Sequence, residues 1–460
     1  MEPITISGGG SAIPPGAIYG ILDNGINGPG TKDIPSLSSL QTGSASRAPS
    51  DYEARARNLY GVQILRCDED RRIQIATATG PRWVVDCATN GPFAMNLRTE
   101  VVQGAIGAIK DFGALHTSIA SARAQTGLAA DILGRLAGMK GGDSLARAYP
   151  TTFAANIATA AGLAKMDCTV VVHPNAHATV QFALEGAFDA NRLIRTKNTA
   201  EVAAAFAKST RRPVVIVEDG LYSMGKFADF EALQDFLERT PKGMVWLDDA
   251  HSVGMRGKNG RGEAMERMEG YSDRCIVTGS FGKAFGAAGG FLVGPASFVE
   301  TTLGVSVADR FSCNLDVAAQ GAVLAAMTLL SRPDELHSLQ SALAVRLRRL
   351  DEALAAAGIV TEQAGTSIAF RVVPFAGATE AIRAAGVLLE DAGFLTTPVY
   401  YPTIARGAGA IRISLSVGHK MADLDALIEV LVPLLVQKGD SLSEILSMRR
   451  CANVPVKGAA

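Results

Sequence analysis

The sequence predicts an α/β fold: a large domain with a mostly parallel central sheet flanked by helices, and a smaller C-terminal α/β domain. Three observations predict it. Strand-like runs at Cys168–Val172, Pro213–Val217 and from Met244 alternate with helical patterns at Thr179–Leu184, Glu201–Lys208 and Phe230–Leu237, as in a parallel sheet covered by helices. Two of those runs end in acids, Asp219 and Asp248, and strand ends are where ligands sit in an open α/β sheet. After a long Leu-, Ala- and Arg-rich helical stretch, Pro333–Ala357, the alternation resumes on a smaller scale.

In chain order, Met1–Ser50 is rich in Gly, Pro and Ser and has little periodicity, so it reads as an arm. Residues 1–97 are assigned to this arm and a short lead-in, 98–330 to the large domain and 331–460 to the small one. Asp51–Tyr60 has a capping acid and helix formers, and Gly61 stops it. Arg72–Ala76 and Trp83–Asp86 read as short strands around a Gly80-Pro81 turn. Tyr149-Pro-Thr-Thr-Phe opens a helix whose first turn, with the hydroxyls of Thr151 and Thr152, reads as an anion site, ordinary capping being the alternative. Gly289–Val293 is strand-like and Ala296–Leu303 helical. In the small domain, strand-like Ser367–Val372, helical Thr379–Asp391, a Pro398–Pro402 stretch and strand-like Ala410–Leu415 follow one another, and Met421–Val436 closes the domain as an amphipathic helix.

Composition removes several function classes. The 460 residues carry 44 basic and 45 acidic side chains, so no bulk attraction to nucleic acid or an anionic membrane follows. The best apolar run, Leu427–Val436, is too short to span a membrane, and the opening residues lack a secretory pattern. Six cysteines without a CxxC pair read as reduced thiols, with no metal site; the expected location is cytoplasmic.

The chemistry concentrates in Thr278–Gly290, Thr-Gly-Ser-Phe-Gly-Lys-Ala-Phe-Gly-Ala-Ala-Gly-Gly, where Lys283 stands among small residues. A lysine amine becomes a nucleophile toward carbonyls when its surroundings lower its pKa. Alone, the stretch reads as a solvated lysine in a glycine-rich loop. The upstream Asp248-Asp-Ala-His251 at the end of an apolar run changes that reading.

Asp248, His251, Ser280 and Lys283, in this order and separation, resemble the constellation of fold-type I pyridoxal-phosphate enzymes. More narrowly they resemble the α-oxoamine synthases, which include serine palmitoyltransferase, aminolevulinate synthase and amino-oxononanoate synthase. The resemblance runs from about Asn90 to the helix after Arg412. It implies pyridoxal 5'-phosphate held covalently by Lys283, with Asp248 at the ring nitrogen, His251 near the ring hydroxyl and His177 stacked on the ring. It further implies Thr151, Thr152, Phe153, Ser280 and a partner-facing Ser312 around the phosphate, and Asp219 and Ser223 beneath the cofactor. Asn90 is placed at the entrance, and Arg412 is implied as the clamp for a substrate carboxylate. His173 has no match and reads as a surface residue. The sequence departs from the family at Phe112–Thr126, at the turn after Met224, at Cys313 where a hydroxyl is usual, and at Asp316 and Val317 where prolines are usual. The implied activity joins an α-amino acid to an acyl-CoA thioester in a homodimer with shared active sites. Transamination on the same fold, or an inactive supporting subunit, remains the alternative.

Overall fold

Strands in a sheet buried on both faces are apolar almost throughout, and the central strands of this chain are of that kind. The computed structural model describes residues 58–114, 123–313 and 315–436. The predicted arm, most of the Asp51–Tyr60 helix, the middle of Phe112–Thr126 and Cys451 lie outside the described residues.

The chain begins with a small antiparallel meander, β1 (Ile64–Cys67), β2 (Arg72–Ile75) and β3 (Arg82–Asp86). β1 is exposed along its length, which is why it carries no hydrophobic alternation in the sequence. Helices α1 (Thr99–Phe112) and α2 (Gly127–Lys140) follow, and then β4 (Ser144–Tyr149), the first strand of the large sheet. Next come α3 (Thr152–Lys165), β5 (Thr169–Val172), α4 (Ala178–Ala187), β6 (Leu193–Arg195), α5 (Thr199–Ser209), β7 (Val214–Asp219), α6 (Phe230–Arg239) and β8 (Gly243–Asp248). A short helix α7 (Gly262–Arg267) leads to β9 (Cys275–Ser280) and β10 (Gly290–Pro295). These seven strands form one sheet in the order β4-β10-β9-β8-β7-β5-β6. It is parallel except for β10, which runs antiparallel to both neighbours.

Successive side chains of a strand point to opposite faces, and the core divides accordingly. Val171, Ile216, Val245, Leu247 and Val277 pack on one side of the sheet. Val170, Val172, Val215, Trp246 and Ile276 pack on the other. Burying Trp246 requires a partner for its indole N–H, and Thr278 Oγ1 on the adjacent strand accepts it at 3.0 Å.

After α8 (Ala296–Val305) and α9 (Val307–Phe311), α10 (Val317–Leu330) starts at Asp316, whose carboxylate accepts from the amides of Ala318 and Ala319. α11 (Pro333–Ala356) begins with proline at its first position, where no N–H is needed. The C-terminal part contains β11 (Phe370–Phe375), α12 (Ala378–Glu390), β12 (Phe394–Leu395), β13 (Thr397–Tyr400), β14 (Gly409–Ser414) and α13 (Met421–Val436). β11, β14 and β13 form an antiparallel sheet with β14 in the middle. β12 pairs in parallel with β3, so the lead-in meander and the C-terminal part share a sheet.

Candidate active site

The parallel strands deliver their carboxyl ends to one edge of the sheet, where five of the expected residues stand. Asp219 and Asp248 close β7 and β8 and are opposite each other in register. Ser280 closes β9 and faces Gly290, which in turn faces Tyr149 at the end of β4. Two residues beyond Tyr149, Thr151 caps α3 by accepting from Ala154 N at 3.1 Å, and Thr152 Oγ1 reaches the carbonyl of Gly279 at 3.4 Å. The start of α3 therefore lies against the strand carrying Ser280. This close approach depends on Gly290: a Cβ there would come within 2.4 Å of Thr152 Cα and 2.5 Å of its amide nitrogen. The room for this approach is supplied by a glycine on a neighbouring strand.

Asp248 is buried and accepts two hydrogen bonds, from Ala250 N to Oδ1 at 3.1 Å and from Asn156 Nδ2 to Oδ2 at 3.1 Å. Asn156 also donates to Thr179 Oγ1 at 3.0 Å, and that hydroxyl lies 2.7 Å from His177 Nδ1. His177 caps α4, and its backbone N–H donates to Asp219 Oδ1 at 3.0 Å. Asp249, fully buried, accepts from Ser252 Oγ at 2.5 Å and Ala264 N at 3.0 Å, so the second acid of the pair anchors the start of α7.

Lys283 follows β9 in a loop closed by Phe281 N to Gly289 O at 3.0 Å and Gly286 N to Lys283 O at 3.1 Å. Gly286 has φ of +64°, and a Cβ there would meet Asn96 N at 2.2 Å. The loop thus packs directly on the lead-in segment. Lys283, His251, Asn90, Pro92, Phe370 and Ser414 line one cleft. Phe370 bridges the two parts of the chain: His251 meets it edge-on at 5.9 Å, and the Arg412 guanidinium lies 3.8 Å from its ring centroid. Asn90 reaches the same place because the backbone of Ser414 donates to Cys87 O at 2.8 Å, and Ser414 Oγ donates to Asn90 Oδ1 at 3.5 Å.

Burial dominates the electrostatics. It lowers the Lys283 amine to about 8, against the opposing pull of Asp248 and with the help of Arg412. Burial, Lys283 and Arg412 push His251 well below its ordinary value, so it is neutral. His177 is exposed on one side, and partial desolvation by the groups around its ring lowers it, with Asp248 opposing and Lys283 assisting. Asp219 is pushed well up by burial and then by Asp248 beside it. Arg412, only 7% exposed, is lowered to about 10 by burial, and its Nε and Nη2 have no hydrogen-bond partner.

The remaining expected residues are more scattered. Ser223 stands half-buried in a tight turn closed by Tyr222 N to Lys226 O at 2.8 Å. Phe153 points outward, 39% exposed, and pairs with the Phe182 ring at 5.4 Å. Ser312 bonds the carbonyl of Cys313 at 3.2 Å. His173, expected on the surface, is half-buried against the Tyr222 ring at 5.1 Å, because its backbone N–H extends the β5–β7 ladder to Val217 O. Sequence reasoning missed Asn156, Thr179 and Phe370. Asn156 carried a signal, being a lone amide in the alanine-rich start of α3. Phe370 carried none, since its role arises from β11 pairing with β14.

Pyridoxal phosphate fits these residues. A helix start leaves its first amides without partners inside the helix, here against the strand that ends in Ser280, which suits a phosphate. The buried Arg412 guanidinium retains two unpartnered nitrogen atoms, a costly arrangement unless an anion completes it. A half-buried amine with lowered pKa lies within the field of a buried carboxylate, which suits an aldehyde with a basic ring nitrogen.

Comparison with known proteins agrees. Residues 148–431 match the family model described as aminotransferase class I and II. The chain is 29% identical to 8-amino-7-oxononanoate synthase of Cupriavidus taiwanensis over 63% of its own length and 72% of that protein. It is 26% identical to 4-hydroxy-2,2'-bipyrrole-5-methanol synthase PigH of a Serratia species over 85% of its own length and 59% of that protein. Among solved structures, Sphingomonas wittichii serine palmitoyltransferase superposes with a TM-score of 0.76 at 19% identity, covering 88% of this chain and 98% of that one. The 8-amino-7-oxononanoate synthase of Francisella tularensis superposes with a TM-score of 0.60 at 17% identity, covering 76% and 97%. With its strand-end acids, its loop lysine and this match, the chain belongs to the aminotransferase class I and II family, as a pyridoxal-phosphate enzyme of the α-oxoamine synthase type.

Proposed function

We propose that this enzyme condenses an α-amino acid with an acyl-CoA thioester, with loss of carbon dioxide, to give an α-amino ketone. The observation that carries the reading is Arg412: a buried guanidinium with two unpartnered nitrogens, its Cζ 3.8 Å from the centroid of the Phe370 ring, beside the cleft that Lys283 and His251 line. A planar fork of this kind is matched by a carboxylate.

In this reading Lys283 holds the cofactor and carries protons, since an amine with a pKa of about 8 releases and regains one near neutral pH. Pyridoxal phosphate supplies an electron-withdrawing ring that stabilises negative charge at the amino-acid α-carbon. Asp248, fixed by Asn156 and Ala250, is positioned for the ring nitrogen. Thr151, Thr152, the backbone amide of Phe153 and Ser280 hold the phosphate at the start of α3, with Asp219 and Ser223 beneath. Neutral His251 donates or accepts at the ring hydroxyl without adding charge beside Lys283. Asn90 stands at the entrance, in the cleft with Lys283 and His251.

The enzyme is further proposed to be a homodimer in which Ser312 reaches the partner's phosphate site. Phe182, Val307 and Phe311, 61%, 70% and 78% exposed, are large apolar side chains that a second copy would cover. A cytoplasmic location is supported by the free thiols at Cys67, Cys87, Cys168, Cys275 and Cys313.

The test is the dissociation constant for a panel of amino acids, read from the change in cofactor absorbance, with thioester consumption followed in parallel. Charge-assisted hydrogen bonds contribute about 1.5–3 kcal/mol each, so Arg412→Ala should weaken amino-acid binding by roughly one to three orders of magnitude. Arg412→Lys should rescue only part. Equal binding of the corresponding amines without a carboxylate would remove the amino-acid reading. Conversion of the cofactor to its amine form after one half-reaction, without thioester consumption, would favour transamination.

A further inference from the structure

We propose that Asn156 and Thr179 form a hydrogen-bond lock that holds His177 as the neutral tautomer protonated on Nε2 and ties its ring to Asp248. Counting donors along the chain leads to this assignment. An ionised carboxylate only accepts, so Asn156 must turn its NH2 group toward Asp248 Oδ2, 3.1 Å away; the flipped amide would set two oxygens face to face. The second N–H of the same group goes to Thr179 Oγ1 at 3.0 Å. Thr179 therefore accepts on that side, and its own hydroxyl proton has His177 Nδ1 at 2.7 Å to receive it. The backbone N–H of Thr179 is directed at the same Nδ1 from 3.3 Å. With two donors converging on Nδ1, a proton there would oppose both, and the ring proton belongs on Nε2.

The surroundings reinforce the assignment. The ionisable groups facing His177 are Asp248, which favours its charged form, and Lys283, which opposes it, with His251 across the site. Asp219 Oδ1 accepts the backbone N–H of His177, and the ring nitrogen Nδ1 has Thr179 as its partner. Asn156 is fully buried and cannot exchange its partners for water. Asn156 and Thr179 are thus positioning residues. Their consequence for the reaction rests on the reading of His177 as the histidine against the cofactor: a neutral ring leaves Asp248 to balance the charge of the cofactor alone.

The experiment uses full-length protein loaded with pyridoxal phosphate and labelled with nitrogen-15 in histidine. Two-bond proton–nitrogen correlation spectra distinguish the tautomers, and the His177→Asn variant assigns the signal. Wild type should show His177 protonated on Nε2 alone, with a titration midpoint below the ordinary value of about 6.5. Thr179→Val, which keeps the shape and loses the hydroxyl, should give mixed tautomers and raise the midpoint by about one pH unit, the size of a common environmental shift. Thr179→Ser should restore the wild-type spectrum, and Asn156→Ala should move it in the same direction as Thr179→Val. A wild-type His177 protonated on Nδ1, or a Thr179→Val spectrum unchanged in tautomer and midpoint, overturns the lock. If Thr179→Val does not fold, the wild-type tautomer still decides. Cofactor absorbance of the same sample reports separately on the cofactor reading: a protein that binds none would overturn that reading and leave the histidine spectrum to judge the lock.

Discussion

Lys283 is pulled in two directions, and the balance is measurable residue by residue. Burial removes its charge, Asp248 restores part of it, and Arg412 removes more. In the cofactor-free protein, labelling of Lys283 by an amine-reactive reagent should therefore rise with pH and reach half its maximum near pH 8, where ordinary lysines need a pH near their reference value of about 10.4. Asp248→Asn removes a charge that stabilises the protonated amine and should move the midpoint down; Arg412→Ala removes a repelling charge and should move it up. A midpoint that moves the other way in either variant would refute this account of the site's electrostatics. In the loaded enzyme, borohydride reduction should fix the mass of the cofactor on the peptide containing Lys283, and a tag on another lysine would reassign the site. Lys283→Ala should lower kcat by roughly 10²–10⁴-fold or more through loss of the proton carrier, with urea unfolding little changed.

At the scale of elements, the site depends on how closely the start of α3 approaches the strand bearing Ser280. Gly290 permits that approach, since a Cβ at this position would be 2.4–2.5 Å from Thr152 backbone atoms. Gly290→Ala should cost about 1–3 kcal/mol of stability by overpacking, and should also displace the amides of Thr152 and Phe153 from the phosphate position. The expected result is weaker cofactor binding by at least about tenfold, measured by absorbance titration at a temperature where the variant is still folded. Unchanged cofactor affinity would place the phosphate elsewhere. Gly286 plays a comparable part for the Lys283 loop: with φ of +64° and Asn96 N 2.2 Å from where its Cβ would stand, it lets the loop rest on the lead-in segment.

For the whole molecule, the proposed dimer makes a prediction that a single chain cannot satisfy. If Ser312 completes the partner's phosphate site, then Lys283→Ala and Ser312→Ala chains, mixed after unfolding, should recover activity that neither homodimer has. One of the two sites in such a hybrid would contain both wild-type residues. Sedimentation should give a dimer, and Phe182→Glu, at a side chain 61% exposed in the isolated chain, should weaken it. A protein fully active as a monomer at low concentration would remove the shared-site proposal.

Much of this enzyme is legible in the sequence, for reasons that are local. The buried parallel strands announce themselves as apolar runs, because both of their faces are covered, and the acids that end two of them, Asp219 and Asp248, mark the ligand edge of the sheet. The spacing of Asp248, His251, Ser280 and Lys283 survives as a motif because two adjacent strands, β8 and β9, and the loops that leave their carboxyl ends carry all four. What the tertiary structure alone decided lies where distant segments meet. The burial of Arg412 on Phe370 follows from β11 pairing with β14, the location of Asn90 from its bond to Ser414, and the room at Thr152 from Gly290 on an antiparallel neighbour. The chain through Asn156 and Thr179 joins two helix starts to the end of a third element, and no single stretch of sequence contains it. Hydrogen-bond partners and desolvation are properties of what surrounds a residue, and the fold brings those surroundings together from far along the chain.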